Sequence, residues 1–143
     1  MTTMPGKPSV TGKVFRMPVR IYYEDTDAGG VVYYANYLKY FERARTEWLR
    51  AAGFDQGELA RARNLLFVVR SIEVQYQRPA RLDDQLTITA QAESIRRASV
   101  SFAQSAVAED GETLARGRVG IACLDARTFR PTVMPDDLQE VFL

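Results

Sequence analysis

Apolar and polar positions alternate in twos along most of this chain and repeat in threes and fours along only one long stretch. Phe15, Met17, Val19, Ile21 and Tyr23 fall on one face of an extended strand, with Arg16 and Arg20 on the other. Pro18 within that run points to a sheet edge or a bulge, because proline donates no ladder hydrogen bond. From about 35 to 52 the period changes. Tyr37, Tyr40, Phe41, Ala44, Trp48 and Ala51 form a helical stripe, and Lys39, Glu42, Arg43, Thr46 and Arg50 take the opposite side. Asn36 is a candidate N-cap for this helix, and Gly53 a candidate left-handed residue just past its end. A shorter helix is predicted over 56–63, ended by Asn64.

Four strands follow with little between them. Val68, Arg70, Ile72, Val74 and Tyr76 alternate with mostly polar neighbours, and Pro79 stops the pairing. Leu86, Ile88, Ala90 and Ala92 alternate with Thr87, Thr89, Gln91 and Glu93. Val100, Phe102 and Ala106 continue the pattern, Asp110-Gly111 signals a hairpin, and Ala115, Gly117, Val119, Ile121 and Cys123 share one face of the last strand. Pro131 and Pro135 are expected to break up the C-terminal stretch.

A strand, one long apolar helix and four strands that read as an antiparallel meander predict an α+β domain, with the helix buried against a five-stranded sheet. Residues 1–12 carry two prolines and two glycines with little apolar pattern and read as a flexible tail, leaving 13–143 as a single domain. An open sheet edge favours pairing with a second copy, so a homodimer or homotetramer is expected.

Composition narrows the chemistry. At 143 residues the chain holds one domain's core, with 46% apolar and 26% charged residues. A net charge of +1 argues against a nucleic-acid partner. No apolar run approaches the ~18 residues of a membrane span, and the N-terminus lacks the pattern of a secretory signal. One cysteine, Cys123, cannot form an internal disulfide; it falls on an apolar face and reads as a buried thiol in a cytoplasmic protein. There is no histidine, so His-based triads, Cys–His pairs and histidine zinc sites cannot be assembled from the chain, and one thiol makes no metal cluster. No metal or cofactor is expected. Carboxylate, hydroxyl and backbone groups must do the work.

Residues 22–50, YYEDTDAGGVVYYANYLKYFERARTEWLR, combine these groups most densely. A strand runs into Asp25 and Asp27, then Gly29-Gly30, then the start of the long helix, where unpaired N–H groups suit an oxyanion. Taken alone, Asp27 reads first as a loop aspartate bonding nearby backbone, because short acidic loops are common, and second as a reactive carboxylate. Asp25 reads as structural, with Glu24 and Thr26 shaping the turn. Gly29 and Gly30 supply backbone freedom.

The run Y-x-E-D-T-D-A-G-G-V-V-Y followed by N-Y-x-x-x-F-E-x-A-R-T-E, with FVVRSIEVQYQRPARLDDQL downstream, resembles the hotdog-fold acyl-CoA thioesterases. Within them it is most similar to the 4-hydroxybenzoyl-CoA thioesterase family, in the bacterial branch associated with the Tol–Pal envelope system. The resemblance spans about 17–125. It implies a five-stranded sheet wrapped around the long helix, and hydrolysis of acyl-CoA to a carboxylic acid and CoA. It also implies Asp27 as the catalytic acid and the backbone N–H of Tyr34 as the oxyanion donor. Many members of that branch have histidine where this chain has Tyr34; a backbone donor survives that change, an imidazole role does not. Gly29, Gly30, Val31 and Tyr33 would line the substrate. Arg96 and Arg97, in ESIRRAS between two strands, read either as contacts for the CoA phosphates or as solvated arginines. Asp27 would attack the carbonyl or deprotonate a water, and burial would improve it as a base. Short or medium aliphatic acyl groups are the expected cargo. A non-catalytic acyl-CoA-binding or sensing module, or an envelope-complex partner, is the alternative on the same fold. Thioester dehydration is disfavoured by the missing histidine.

Overall fold

The computed structural model describes residues 7–11 and 13–143. It is an α+β hotdog fold in which a six-stranded antiparallel sheet, in the order β1-β2-β4-β5-β6-β3, packs on a central helix. The strands are β1 (Ser9–Thr11), β2 (Val14–Arg20), β3 (Leu65–Tyr76), β4 (Gln85–Ile95), β5 (Ser99–Val107) and β6 (Thr113–Asp125). The helices are α1 (Asn36–Ala51), α2 (Gln56–Arg63) and α3 (Asp136–Phe142).

The sixth strand corrects the expected count of five. Ser9–Thr11, assigned to the flexible tail, pairs with β2 from Ser9↔Arg16 to Thr11↔Val14. Residues 1–6 and 12, the rest of that stretch apart from Lys7 and Pro8, lie outside the described residues. Because β1 stops short of Pro18, the proline has no strand partner on the outer side of β2 among the described residues, and its missing N–H is tolerated. Tyr23, assigned to the buried face of β2, instead lies in a 3₁₀ turn, Tyr23–Asp25, and is 82% exposed.

The expected four-strand meander is also corrected. Only β4, β5 and β6 follow one another; β3 pairs with β6 along its whole length and forms the far edge. Alternation fixes which face a residue takes but not which strand lies beside it. The connection between β3 and β4 must therefore cross three strand spacings, about 14 Å, at the end of the sheet where α1 begins. That crossover, residues 77–84, passes the start of α1.

Helix α1 buries Tyr37, Tyr40, Phe41, Ala44 and Trp48 as its periodicity requires, with Leu49 in place of the exposed Ala51. Its C-terminus is a Schellman turn: Phe54 N–H donates to Leu49 O, Gly53 N–H to Arg50 O, and Gly53 takes φ 92°. Asn64, at φ 58°, ends α2 as its sequence suggests. Trp48 stacks on Phe15 (ring centroids 5.8 Å) and meets Phe102 and Phe142 edge-on. Phe142 belongs to α3, a helix absent from the sequence reading. Pro135 does not break this segment; it stands at the N-cap ahead of Asp136 and Asp137, whose charges suit a helix start. Arg63 grips Asp137 with two hydrogen bonds and ties α2 to α3.

One polar residue enters the core. Gln104, on the inner face of β5, donates through Nε2 to Phe41 O at 3.0 Å and accepts from Arg45 Nη1 at 2.8 Å, so sheet and helix are bonded as well as packed. Burial holds the Arg45 guanidinium below its usual pKa, with Glu42 opposing that effect.

Gly117 on β6 lies directly against the helix: a Cβ there would be 2.8 Å from Phe41 Cε2. Gly117→Ala should therefore destabilise the fold by about 1–3 kcal/mol, read as a lower urea midpoint with an unchanged slope.

Candidate active site

Residues 22–37 fold as a tight hairpin that delivers the chain into α1. Tyr22 N–H donates to Asp25 Oδ2 at 2.8 Å. The Asp25 carbonyl accepts from Tyr33 N–H at 3.0 Å and from Asn36 Nδ2 at 2.9 Å. Asp25 thus works as a clamp, holding both ends of the loop. Asn36, expected as an N-cap, is the first residue of α1 itself; the N-cap position belongs to Ala35, which makes no side-chain bond.

At the tip, Asp27 N–H donates to Val31 O at 2.9 Å, and Gly30 N–H returns to Asp27 O at 3.0 Å. Gly30 takes φ 78°, a conformation that glycine adopts without strain. Gly29 N–H donates to Asp27 Oδ1 at 2.8 Å, an Asx turn that fixes the carboxylate. A Cβ on Gly29 would lie 3.2 Å from that oxygen, so the glycine makes room for it. Oδ2 accepts no hydrogen bond among the described residues. Asp27 is exposed, so the burial expected of a desolvated base is not provided by this chain alone.

From the tip the chain runs back through Val31 and Val32. These bridge Arg81 and Thr26, and the buried Val32 N–H donates to Ala80 O at 2.8 Å. Ala80, fully buried, donates its own N–H to Tyr37 Oη at 3.1 Å. The crossover between β3 and β4 is in this way stapled to both the loop and the helix. Burial, opposed by the Ala80 bond, pushes the Tyr37 phenol above its usual pKa.

The helix then begins with its donors unevenly used. Asn36 N–H donates to Tyr33 O, Tyr37 N–H to Tyr34 O and Leu38 N–H to Ala35 O. The N–H groups of Tyr34 and Ala35 donate to nothing among the described residues. In a trans peptide the carbonyl and N–H point in opposite directions. The Tyr33 carbonyl faces into the helix, so the Tyr34 N–H faces out of it, at the positive end of a 16-residue helix.

Tyr33 and Tyr34 are 46% and 60% exposed and pack together at 4.9 Å. Tyr34 meets Tyr76 edge-on at 6.0 Å, and Tyr76 lies 5.6 Å from Tyr37. A cavity of about 210 Å³ opens beside them, lined by Val32, Tyr34, Tyr37, Tyr76 and Pro79.

The structure thus brings Asp27, Gly29, Gly30, Val31, Tyr33 and Tyr34 into one loop and helix start. It does not bring Arg96 and Arg97 there. Those arginines are exposed in the turn after Ile95, at the opposite end of β4 from Asp84, whose carbonyl accepts from Ile21 N–H beside the loop. Eleven residues of strand separate the two ends, roughly 36 Å at 3.3 Å each. Arg78 reaches the groove, but its guanidinium is held by Glu112 and Asp110. Arg81, bridged to Val31, is a cation next to the loop. What sequence reasoning missed is the bond from the Tyr76 phenol and the fastening of the crossover through Ala80 to Val32 and the Tyr37 hydroxyl.

Residues 21–142 match the thioesterase-like superfamily. The acyl-CoA thioester hydrolase YbgC of Escherichia coli O6:H1 is 45% identical over 129 residues, which cover 90% of this chain and 96% of that protein. The crystal structure of a probable thioesterase from Bartonella henselae superposes with a TM-score of 0.79 at 36% identity, covering 84% of this chain and 98% of the other. A 4-hydroxybenzoyl-CoA thioesterase variant bound to 4-hydroxybenzoyl-CoA shares the fold, with a TM-score of 0.84 at 21% identity over 92% of this chain and all of that one.

Removing the Tyr37 hydroxyl leaves the buried Ala80 N–H without its acceptor. Tyr37→Phe should therefore lose about 1–3 kcal/mol of stability, measured by urea unfolding, and amide exchange at Ala80 should accelerate.

Proposed function

This chain belongs to the thioesterase-like superfamily, and we propose that it hydrolyses acyl-CoA thioesters where the Asp27 loop meets the start of α1. The observation that carries the reading is the pairing of an outward-facing, unpaired Tyr34 N–H with a carboxylate that has one oxygen fixed and the other free. The thioester carbonyl oxygen sits on the Tyr34 N–H. Charge gathers on that oxygen as the carbonyl carbon becomes tetrahedral, and the N–H and the helix dipole stabilise it. One such donor is worth about 3–4 kcal/mol of barrier in hydrolases.

Two routes use the free oxygen of Asp27. As a nucleophile, Oδ2 bonds to the carbonyl carbon, the C–S bond breaks, and CoA leaves as a thiolate that takes up a proton; water then splits the mixed anhydride. As a base, Oδ2 takes a proton from water, whose oxygen attacks the same carbon, and the C–S bond breaks in the same way. Solvent oxygen label appears in Asp27 after a single turnover only by the first route.

Gly29, Gly30 and Val31 leave the loop backbone open to the thioester, and Tyr33 flanks it. Arg81, bridged to Val31, would supply a cation for a CoA phosphate. An arginine side chain cannot span roughly 36 Å, so Arg96 and Arg97 would reach this site only from a second copy of the chain. The open edge of β3, where Val69, Ile72 and Tyr76 are 50%, 44% and 46% exposed, supports a homodimer or homotetramer that would also cover the exposed Asp27.

Free CoA release from a panel running from acetyl-CoA to palmitoyl-CoA, with benzoyl and hydroxybenzoyl thioesters added, tests the function. We expect turnover, best on short or medium aliphatic chains, and a loss of about 10³-fold in Asp27→Asn, roughly 4 kcal/mol of barrier. Binding without turnover by the wild type would make the protein an acyl-CoA sensor instead.

A further inference from the structure

The first turn of α1 is tied to the sheet by a side chain that lies 42 positions further along the chain. Tyr76, the last residue of β3, donates its hydroxyl to Tyr34 O at 3.1 Å. The only other donor to that carbonyl among the described residues is Tyr37 N–H, at a long 3.4 Å. Tyr34 therefore has its carbonyl held chiefly from outside the helix, while its N–H stays free. The neighbouring peptide units are fixed too: Tyr33 N–H by Asp25 O at 3.0 Å, and Tyr33 O by Asn36 N–H at 2.9 Å.

We propose that Tyr76 is a positioning residue for the oxyanion donor, its hydroxyl holding the Tyr34 carbonyl so that the Tyr34 N–H keeps its aim. This rests on the thioesterase reading above. A residue has two soft torsions, one on each side of its Cα. Asn36 fixes the plane that carries the Tyr34 N–H, and Tyr76 fixes the plane that follows it. Without the phenol, the first turn retains one long bond at Tyr34 and the helix start can fray. The ring itself is held independently, edge-on to Tyr34 and against Tyr37, so the hydroxyl can be removed without removing the packing. Burial, with Tyr34 and Tyr37 nearby, raises the Tyr76 phenol above its usual pKa, so it remains a donor at neutral pH.

The effect belongs to the transition state. A neutral thioester carbonyl gains little from a well-aimed N–H, whereas the oxyanion gains much, so misaiming lowers kcat and leaves KM nearly unchanged. Tyr76→Phe should lower kcat about tenfold, with KM within about twofold of wild type and the thermal midpoint within about 2 °C. A purely structural role would instead lower the midpoint and the folded fraction, with kcat per folded molecule preserved. Full kcat in Tyr76→Phe beside an active wild type overturns this inference alone, as does a loss explained by unfolding. A wild type that cleaves no acyl-CoA overturns the thioesterase reading and this inference together.

Discussion

Two hydrogen bonds at one buried alanine hold the working end of this molecule together. Ala80 O accepts from Val32 N–H, and Ala80 N–H donates to the Tyr37 phenol. The first fastens the crossover to the strand that leaves the Asp27 loop; the second fastens it to the first turn of α1. Buried backbone groups must find partners, so the chain cannot release either contact cheaply. The sheet order makes such a fastening necessary. With β3 beside β6 and β4 inside the sheet, residues 77–84 have to pass the helix start, and Ala80 is where they touch it.

The parts legible in the sequence are those set by local chemistry. The α1 stripe, the left-handed Gly53 and Asn64, and the length of α2 follow from periodicity and caps, which depend on neighbours three or four residues away. The partner of β3 does not, because alternation assigns Ile72 and Val74 to faces without saying that β6 lies alongside. Helix α3 was hidden by its seven residues and by Pro135, which reads as a breaker until it is seen to precede a helix. Gln104 interrupts the apolar face of Val100, Phe102 and Ala106, and nothing local shows that Phe41 O and Arg45 await it.

The candidate site was legible in the same uneven way. Asp27, Gly30 and Tyr34 are contiguous, so their grouping survives any error in topology. Arg96 and Arg97 read either as contacts for the CoA phosphates or as solvated arginines, and strand length separates them from the site within one chain. Tyr76 was read as one more alternating residue, since its bond to Tyr34 depends on where β3 ends. With no histidine to supply an acid or base, the proposed site consists of a carboxylate, a backbone N–H and phenols that hold backbone in place. Such a site stores its precision in hydrogen bonds to the main chain, which explains why so many side chains around it end on a carbonyl or an N–H.

The central claim is that the start of α1 receives the thioester. Backbone amide NMR of the isotope-labelled protein, titrated with a non-hydrolysable thioether analogue of acyl-CoA, tests it directly. The account predicts the largest shifts at the amides of Tyr34 and Ala35 and in the Gly29-Gly30 loop. Saturable binding that leaves these amides unmoved and shifts another part of the sheet would contradict it.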